Sequence, residues 1–331
     1  TKENFKVVSG LNVAQSGYTE NFTFLEDGKV KTDPVNSNLY HYNGYIYTYT
    51  HFPKDFDWTL GVSVDSVDAQ DARFFDSGTQ VNPKAGLIWR PTNDTTLRIA
   101  AARSLKRTAL SNQTIEPTQV AGFNQYFDDF SGGSSWLYGI GLDQKIGNKF
   151  YGGLEFFARD LSLPSIDKKF DIDTKFKFNE RHYNAYLNWN ITPKLVSTAS
   201  FNLEEFYGDN GRAPLSTITY DAKAGIKYFD NSGLFFTFDA EYVNQRAEWG
   251  LYNIATEDAP IKHNQFVLFN TGIGYRLPKR YGIIQLDIKN LFDRQFNYQS
   301  LGPRTVQSGD NGQLPPFLPD RTILARFTLT F

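Results

Sequence analysis

Hydrophobicity in this chain repeats every second residue, in one segment after another, and hardly ever every third or fourth. Successive side chains of a strand point to opposite faces, so period two is the signature of a sheet with one apolar and one polar side. In DWTLGVSVD, Trp58, Leu60, Val62 and Val64 alternate with Asp57, Thr59, Gly61, Ser63 and Asp65. In WLYGIGLD, Trp136, Tyr138, Ile140 and Leu142 alternate with Gly139, Gly141 and Asp143. YNAYLNWNI and LFFTFDAEY behave alike, with Tyr183, Leu187 and Trp189, and with Leu234, Phe236, Phe238 and Tyr242, on their apolar sides. The chain ends in the same way: Ile323, Ala325, Phe327, Leu329 and Phe331 share one parity, and Thr322, Arg326, Thr328 and Thr330 the other. Globular domains are usually about one-third helix. A chain without helical periodicity is therefore all-β.

The connections fall into two kinds that alternate along the chain. Short turns are expected at Pro53–Asp55, Pro91–Asp94, Gly147–Asn148, Thr192–Lys194, Asp230–Gly233 and Pro278–Arg280, all rich in turn-forming residues. Long polar segments are expected at about 16–38, 70–81, 106–133, 161–179, 208–215, 248–264 and 294–320. Counting hairpins between them gives about 14 strands of about 10–13 residues, an even number, as in bacterial outer-membrane barrels with short periplasmic turns and long extracellular loops. Strands of about 9–11 tilted residues cross the hydrocarbon.

Alternation alone does not say which face is wet, because a soluble sandwich buries the apolar parity and a membrane barrel turns it outward. Three features favour the membrane. The strands exceed the roughly 5–6 residues usual in globular sheets. Aromatic residues crowd beside the short turns, among them Phe52, Phe56, Trp58, Trp89, Phe150, Tyr151, Trp189, Tyr228, Phe229, Tyr275 and Tyr281, as in an interfacial girdle. The loops alternate in length. The expected fold is a transmembrane antiparallel up-and-down β-barrel, one domain over residues 1–331, because a closed sheet satisfies its own backbone in lipid.

Composition narrows the function. The net charge of −2 argues against nucleic acid as a partner. There is no cysteine, hence no disulfide and no thiolate metal site. The four histidines, His41, His51, His182 and His263, are dispersed, and no nucleophile elbow or P-loop is present. Neither catalysis nor a cofactor is expected. Asp65, Asp68, Asp71 and Asp76 form an acidic run whose oxygens would suit calcium, but the preferred reading is a solvated loop. With no methionine and no opening signal segment, the chain reads as a piece of a longer polypeptide.

Two stretches carry a resemblance. NPKAGLIWRPTNDTTLRIAAARSLKRTAL (Asn82–Leu110) resembles a mid-barrel hairpin of the TonB-dependent receptors. YGIIQLDIKNLFDRQFNYQS (Tyr281–Ser300), followed by PDRTILARFTLTF, resembles their closing hairpin, in which Asn-Leu-Phe-Asp ends the penultimate strand and the last strand ends in Phe. By that resemblance, Phe327, Leu329 and Phe331 form the signal read by the barrel-assembly machinery. TIEPTQVAGFNQYFDDF (Thr114–Phe130) is similar to a related group with a receptor-like barrel behind periplasmic tetratricopeptide repeats, which implies a periplasmic adaptor or N-terminal periplasmic domain. The receptors have about 22 strands around a plug, and neither that strand number nor a plug is seen in this sequence.

The polar parity carries Lys6, Asp57, Asp65 and Lys84, and beyond them a candidate lumen lining: Arg90, Arg98, Asp143, Glu155, Arg159, Glu204, Asp221, Lys223, Lys227, Asp239, Glu241, Arg276, Asp287, Lys289 and Arg326. Arg or Lys against lipid costs about 2–4 kcal/mol near the midplane, so shared parity marks a wet face. Mixed signs point to cross-strand pairs, with Lys223 and Lys227 opposite Asp239 and Glu241, rather than a single-sign selective ring. The expected function is a transport barrel with a polar conduit for a solute or an exported polymer, partly obstructed by its own long segments, 106–133 and 294–320 above all. The alternatives are the barrel of a TonB-dependent uptake receptor and a structural membrane anchor. In each case the lipid bilayer is the first partner, in the outer membrane of a Gram-negative bacterium.

Overall fold

Each alternating segment forms a strand in a computed structural model of the chain. It describes all residues except 1–3, 27–28, 71–76, 107–113, 128, 130–131, 165–174, 209–215, 249–260, 299–316, 318–319 and 330–331. The strands are β1 Phe5–Glu26, β2 Lys29–His51, β3 Phe56–Gln70, β4 Gly78–Thr92, β5 Thr95–Leu105, β6 Gln119–Val120, β7 Phe123–Asn124 and β8 Ser134–Ile146. Next come β9 Phe150–Pro164, β10 Lys175–Thr192, β11 Leu195–Gly208, β12 Ser216–Phe229, β13 Leu234–Glu248, β14 Ile261–Arg276, β15 Gly282–Lys289 and β16 Thr322–Leu329. Fourteen of them follow chain order in one sheet, β1 to β5 and then β8 to β16, while β6 and β7 pair with each other alone. The pairings are antiparallel, for example Lys223 opposite Glu241 across β12–β13 and Gln285 opposite Arg326 across β15–β16.

All six expected short turns are in place. At Asp230–Gly233, the Ser232 N–H donates to the Asp230 carboxylate at 2.9 Å, which holds that carboxyl below its usual range. One expectation is corrected. The polar stretch 16–38 is largely strand, because β1 and β2 pair without interruption from Phe5 opposite Thr50 to Glu26 opposite Lys29. Polar residues on both faces conceal that ribbon from a period-two reading, since water on both sides removes the contrast that period two reports. Strand lengths in the fourteen-stranded sheet accordingly run from 8 to 23 residues, a wider spread than expected.

The side chains settle which face is covered. Trp58, Leu60, Val62, Trp89, Leu187, Phe236, Phe238 and Phe327 are all exposed, between 36% and 61%. On the opposite parity Asp65 and Arg159 are fully buried and Lys84 is 3% exposed. A water-soluble domain does the reverse. An apolar face this extensive lies far beyond the few hundred square ångströms that a soluble monomer leaves exposed, and it matches a lipid-facing surface.

By its contacts the chain divides into two compact units. One comprises Thr1–Arg90, Arg98–Ile140 and Ala158–Asn179, and the other Pro91–Leu97, Gly141–Phe157 and Glu180–Phe331.

In the second unit the NLFD segment finds a physical reason. Buried Asn290 takes a left-handed φ of 51°, and its backbone N–H donates to the Asn270 side chain at 3.0 Å. Its own carboxamide accepts from the Arg294 N–H at 2.8 Å and donates to the Arg294 carbonyl at 2.9 Å. Asp293 then accepts from the backbone N–H of Arg321 at 2.8 Å, joining the end of β15 to the approach of β16. Two short polar residues thus fix where the last hairpin leaves the sheet and where it returns.

Candidate functional site

The first unit buries a polar network that joins the polar parity of neighbouring strands to a distant segment of the chain. Its scaffold is the polar face of β2, β3 and β4, where His41, Asn43, Tyr47, Ser63, Asp65, Asn82 and Lys84 fall on one side by parity. Asp65 gathers three partners: His41 Nε2 at 2.9 Å, Asn43 Nδ2 at 2.8 Å and Asn82 Nδ2 at 2.6 Å. The Lys84 ammonium donates to Ser63 Oγ at 2.7 Å and to the Asn82 carbonyl at 3.1 Å.

Onto this face comes the stretch after residue 113. Glu116 inserts its carboxylate into the network, where Asn43 Nδ2 donates to Oε1 at 3.1 Å, the Tyr47 hydroxyl donates to Oε2 at 2.9 Å, and Lys84 Nζ stands 3.2 Å from Oε2. Both side chains of the Lys84–Glu116 pair are wholly screened from solvent. Gln125 closes the arrangement by donating to the Tyr47 hydroxyl at 3.1 Å and to the Pro117 carbonyl at 2.7 Å. Taking two charges out of water is costly, and the cost is offset here by a direct ion pair with further hydrogen bonds on each partner.

Between Glu116 and Gln125 the chain makes a miniature hairpin. Val120 pairs with Phe123, and the two residues between them, Ala121 and Gly122, have φ of 48° and 86°. Two successive positive φ values are what a two-residue type I′ turn requires. The hairpin lies flat on the strands because they carry glycine beneath it. A side chain at Gly86 of β4 would stand 2.7 Å from Val120 Cγ1 and 2.8 Å from Ala121 Cβ. One at Gly139 of β8 would stand 2.5 Å from the Phe123 ring.

A second charged anchor holds the far end. Arg159 of β9, fully buried, pairs with Asp129, lies 4.0 Å from the Tyr126 ring centroid and reaches Ser135 Oγ at 3.4 Å. At the base, Lys106 N–H donates to the Gly133 carbonyl at 2.8 Å, so the excursion starts and ends at one place.

The other expected lining residues take up positions on the polar parity of their strands. Arg90 pairs with Asp57, and Arg98 stands 5.2 Å over the Phe123 ring. In the second unit Asp143 accepts from the Tyr186 hydroxyl at 2.5 Å, Glu155 from Asn184 at 3.4 Å and Asp221 from Asn202 at 3.4 Å. Glu204 lies 3.7 Å from His182. Lys223 is 3.2 Å from Asp239 and 3.9 Å from Glu241, cross-strand pairs as expected, whereas Lys227 stands opposite Thr237. Gln285 donates to Asp287 at 2.7 Å, Lys289 is half-buried, and Lys227, Arg276 and Arg326 are exposed. There too described residues outside the strands pack on the sheet: Phe296, Tyr298 and Phe317 lie against Val243, Phe266 and Leu268, and burial pushes the Tyr298 hydroxyl up.

Sequence reasoning missed Glu116, Asp129, Tyr47 and Gln125. Of the acidic run, Asp65 is consumed by the network, and Asp71 and Asp76 lie outside the described residues, as does Phe331. Among the described residues no three His, Asp or Glu side chains are placed to hold a metal ion.

No family model and no curated protein matches this sequence. Solved structures do. The ferric-catecholate import receptor Fiu from Escherichia coli K12 superposes with a TM-score of 0.57 at 16% identity, over 88% of this chain and 48% of that one. The FrpB iron transporter from Neisseria meningitidis gives 0.63 at 12% identity, over 89% and 50%. The copper transporter OprC gives 0.59 at 14% identity, over 100% and 55%. The sheet has the fold of the TonB-dependent receptor barrels. At these identities the likeness is one of fold, and the chain spans about half the length of the receptors it matches.

Proposed function

We propose that this chain is an outer-membrane transport barrel whose polar interior passes a small solute along a path narrowed by its own 114–129 segment. The supporting observation is the pair of buried ionic anchors, Lys84–Glu116 and Arg159–Asp129, which hold that segment against the polar face of the strands. A segment bound by two charge pairs and seated on glycine serves as a fixed constriction more readily than as a loose flap. The polar parity supplies the wet wall, and its mixed signs suit a polar solute better than one class of ion. The fold likeness to import receptors favours a second reading, in which the chain is the barrel part of a TonB-dependent uptake receptor working with a plug. On either reading the barrel-assembly machinery inserts it through its last strand, and a periplasmic domain or adaptor supplies what the barrel lacks.

Recordings from the purified chain in planar bilayers test this. The native chain should show small conductance, and a variant with 107–132 replaced by a short Gly-Ser link between Lys106 and Gly133 should show a severalfold larger one. A large, steady conductance from the native chain, or no conductance from either, would overturn the reading.

A further inference from the structure

The hairpin tip and the short-turn ends of β1–β3 enclose a cleft of about 450 Å³. Lys6, Tyr49, His51, Asp57, Ile88 and Ala121 line it, together with Thr50, Thr59 and the backbone of Gly122. It is distinct from the anchoring network, and its volume falls within the roughly 300–1,000 Å³ typical of small-molecule sites.

Its electrostatics are one-sided. The only carboxylate in the lining is that of Asp57, and both of its oxygens are engaged, Oδ1 by His51 Nδ1 at 2.5 Å and Oδ2 by the Arg90 guanidinium. Lys6 has no ion-pair partner among the described residues, and it is exposed. The Arg98 guanidinium lies against Gly122, and a side chain there would stand 2.9 Å from it. With the Asp57 carboxylate matched by Arg90, Lys6 adds a further positive charge to the lining. Apolar surface comes from Ile88, Ala121, Trp58 and the Tyr49 ring, and uncharged polar groups from Thr50, Thr59 and Gln119. A cleft with a free ammonium at one side and apolar walls at the other suits a ligand of matching polarity.

We propose that this cleft binds a small organic anion, a carboxylate carried on a compact apolar body, with Lys6 as its counter-charge and the 119–122 hairpin as its roof. This rests on the transport reading and makes the cleft the place where a solute pauses at the constriction.

The test is calorimetric titration of the purified full chain in micelles with three probes of one shape: benzoate, benzyl alcohol and benzylammonium. Benzoate should bind about tenfold or more tightly than either of the others, as expected for one exposed-to-half-buried charge contact. Lys6→Glu should abolish that preference and Lys6→Arg should keep it. Ile88→Trp, which fills the cleft, should remove benzoate binding while the strand signal in circular dichroism is unchanged. Equal affinity for the three probes, no binding of any, or benzoate binding indifferent to Lys6→Glu would overturn the assignment. Flux through liposomes, measured separately, tells the two ideas apart. A chain that binds benzoate and passes no solute retains the site and loses the transport reading. A chain that conducts without preferring benzoate does the opposite.

Discussion

Glu116 is the most consequential side chain in the molecule that alternation does not mark. It sits among residues 106–133, whose Gly, Pro and Asn content reads as loop, and its partner Lys84 lies 32 positions earlier in the chain. The sequence states that Lys84 faces the wet side. It does not state which distant acid will meet it, because an ion pair between a strand and an excursion leaves no periodic trace. Removing one member of a buried pair strands the other, at a cost of about 3–5 kcal/mol. Lys84→Met should therefore destabilise the chain by about that amount in guanidinium unfolding and speed hydrogen exchange at amides 114–127. The double variant Lys84→Met with Glu116→Gln should recover most of the loss, since no lone charge remains buried. Equal destabilisation by the single and double variants would show that the ion pair is not what holds the segment. His41, Asn43 and Tyr47 were within reach of sequence reasoning, because HYNGYIYTYTH places them on one parity. What hid them is that the apolar tyrosines and isoleucine fall on both parities.

The hairpin of β6 and β7 owes its seat to absences. Gly86 and Gly139 contribute no side chain where Ala121 and Phe123 press against the strands. Gly86→Val should push the hairpin away with an overpacking cost of about 1–3 kcal/mol, leave the sheet intact, and raise bilayer conductance. Unchanged conductance together with unchanged protease resistance of 114–127 would contradict the seating. At the far end of the chain, β16 raises a different expectation. Deleting Phe331, or making it charged, should cut the yield of membrane-inserted protein well below wild type while protein already inserted keeps its thermal stability. Normal yield from the deletion would remove the assembly role. The strands themselves were legible wherever one face was apolar. The β1–β2 ribbon was legible only over its apolar half, since Gln15 opposite Tyr40 and Thr19 opposite Asn36 present polar groups with no partner layer to select a face.

For the whole molecule, the inverted distribution of burial outweighs any single contact. Spin labels at Leu60, Val62, Leu187, Phe236 and Phe327 should be relaxed strongly by lipid-soluble oxygen and weakly by a water-soluble nickel complex. The opposite ranking would mean that these faces meet water or another protein layer. The strand number of the large sheet, the turn positions and the parity of the covered face were all readable from the sequence, because each follows from local chemistry repeated many times. The fold-back of residues 114–129 was expected only in outline. Its anchors depend on which strands stand side by side, and alternation carries no record of that.

The glycine seats also leave a mark on inheritance. A β-carbon at position 86 would crowd the present Val120 and Ala121, and one at 139 the present Phe123, so neither side of the fit can change freely while the other stays fixed. Homologues should vary these positions jointly: a larger residue at 86 with smaller residues at 120 and 121, or one at 139 with a smaller residue at 123. A lineage that lost the hairpin would be released from the constraint, and both strand positions would drift toward ordinary polar residues.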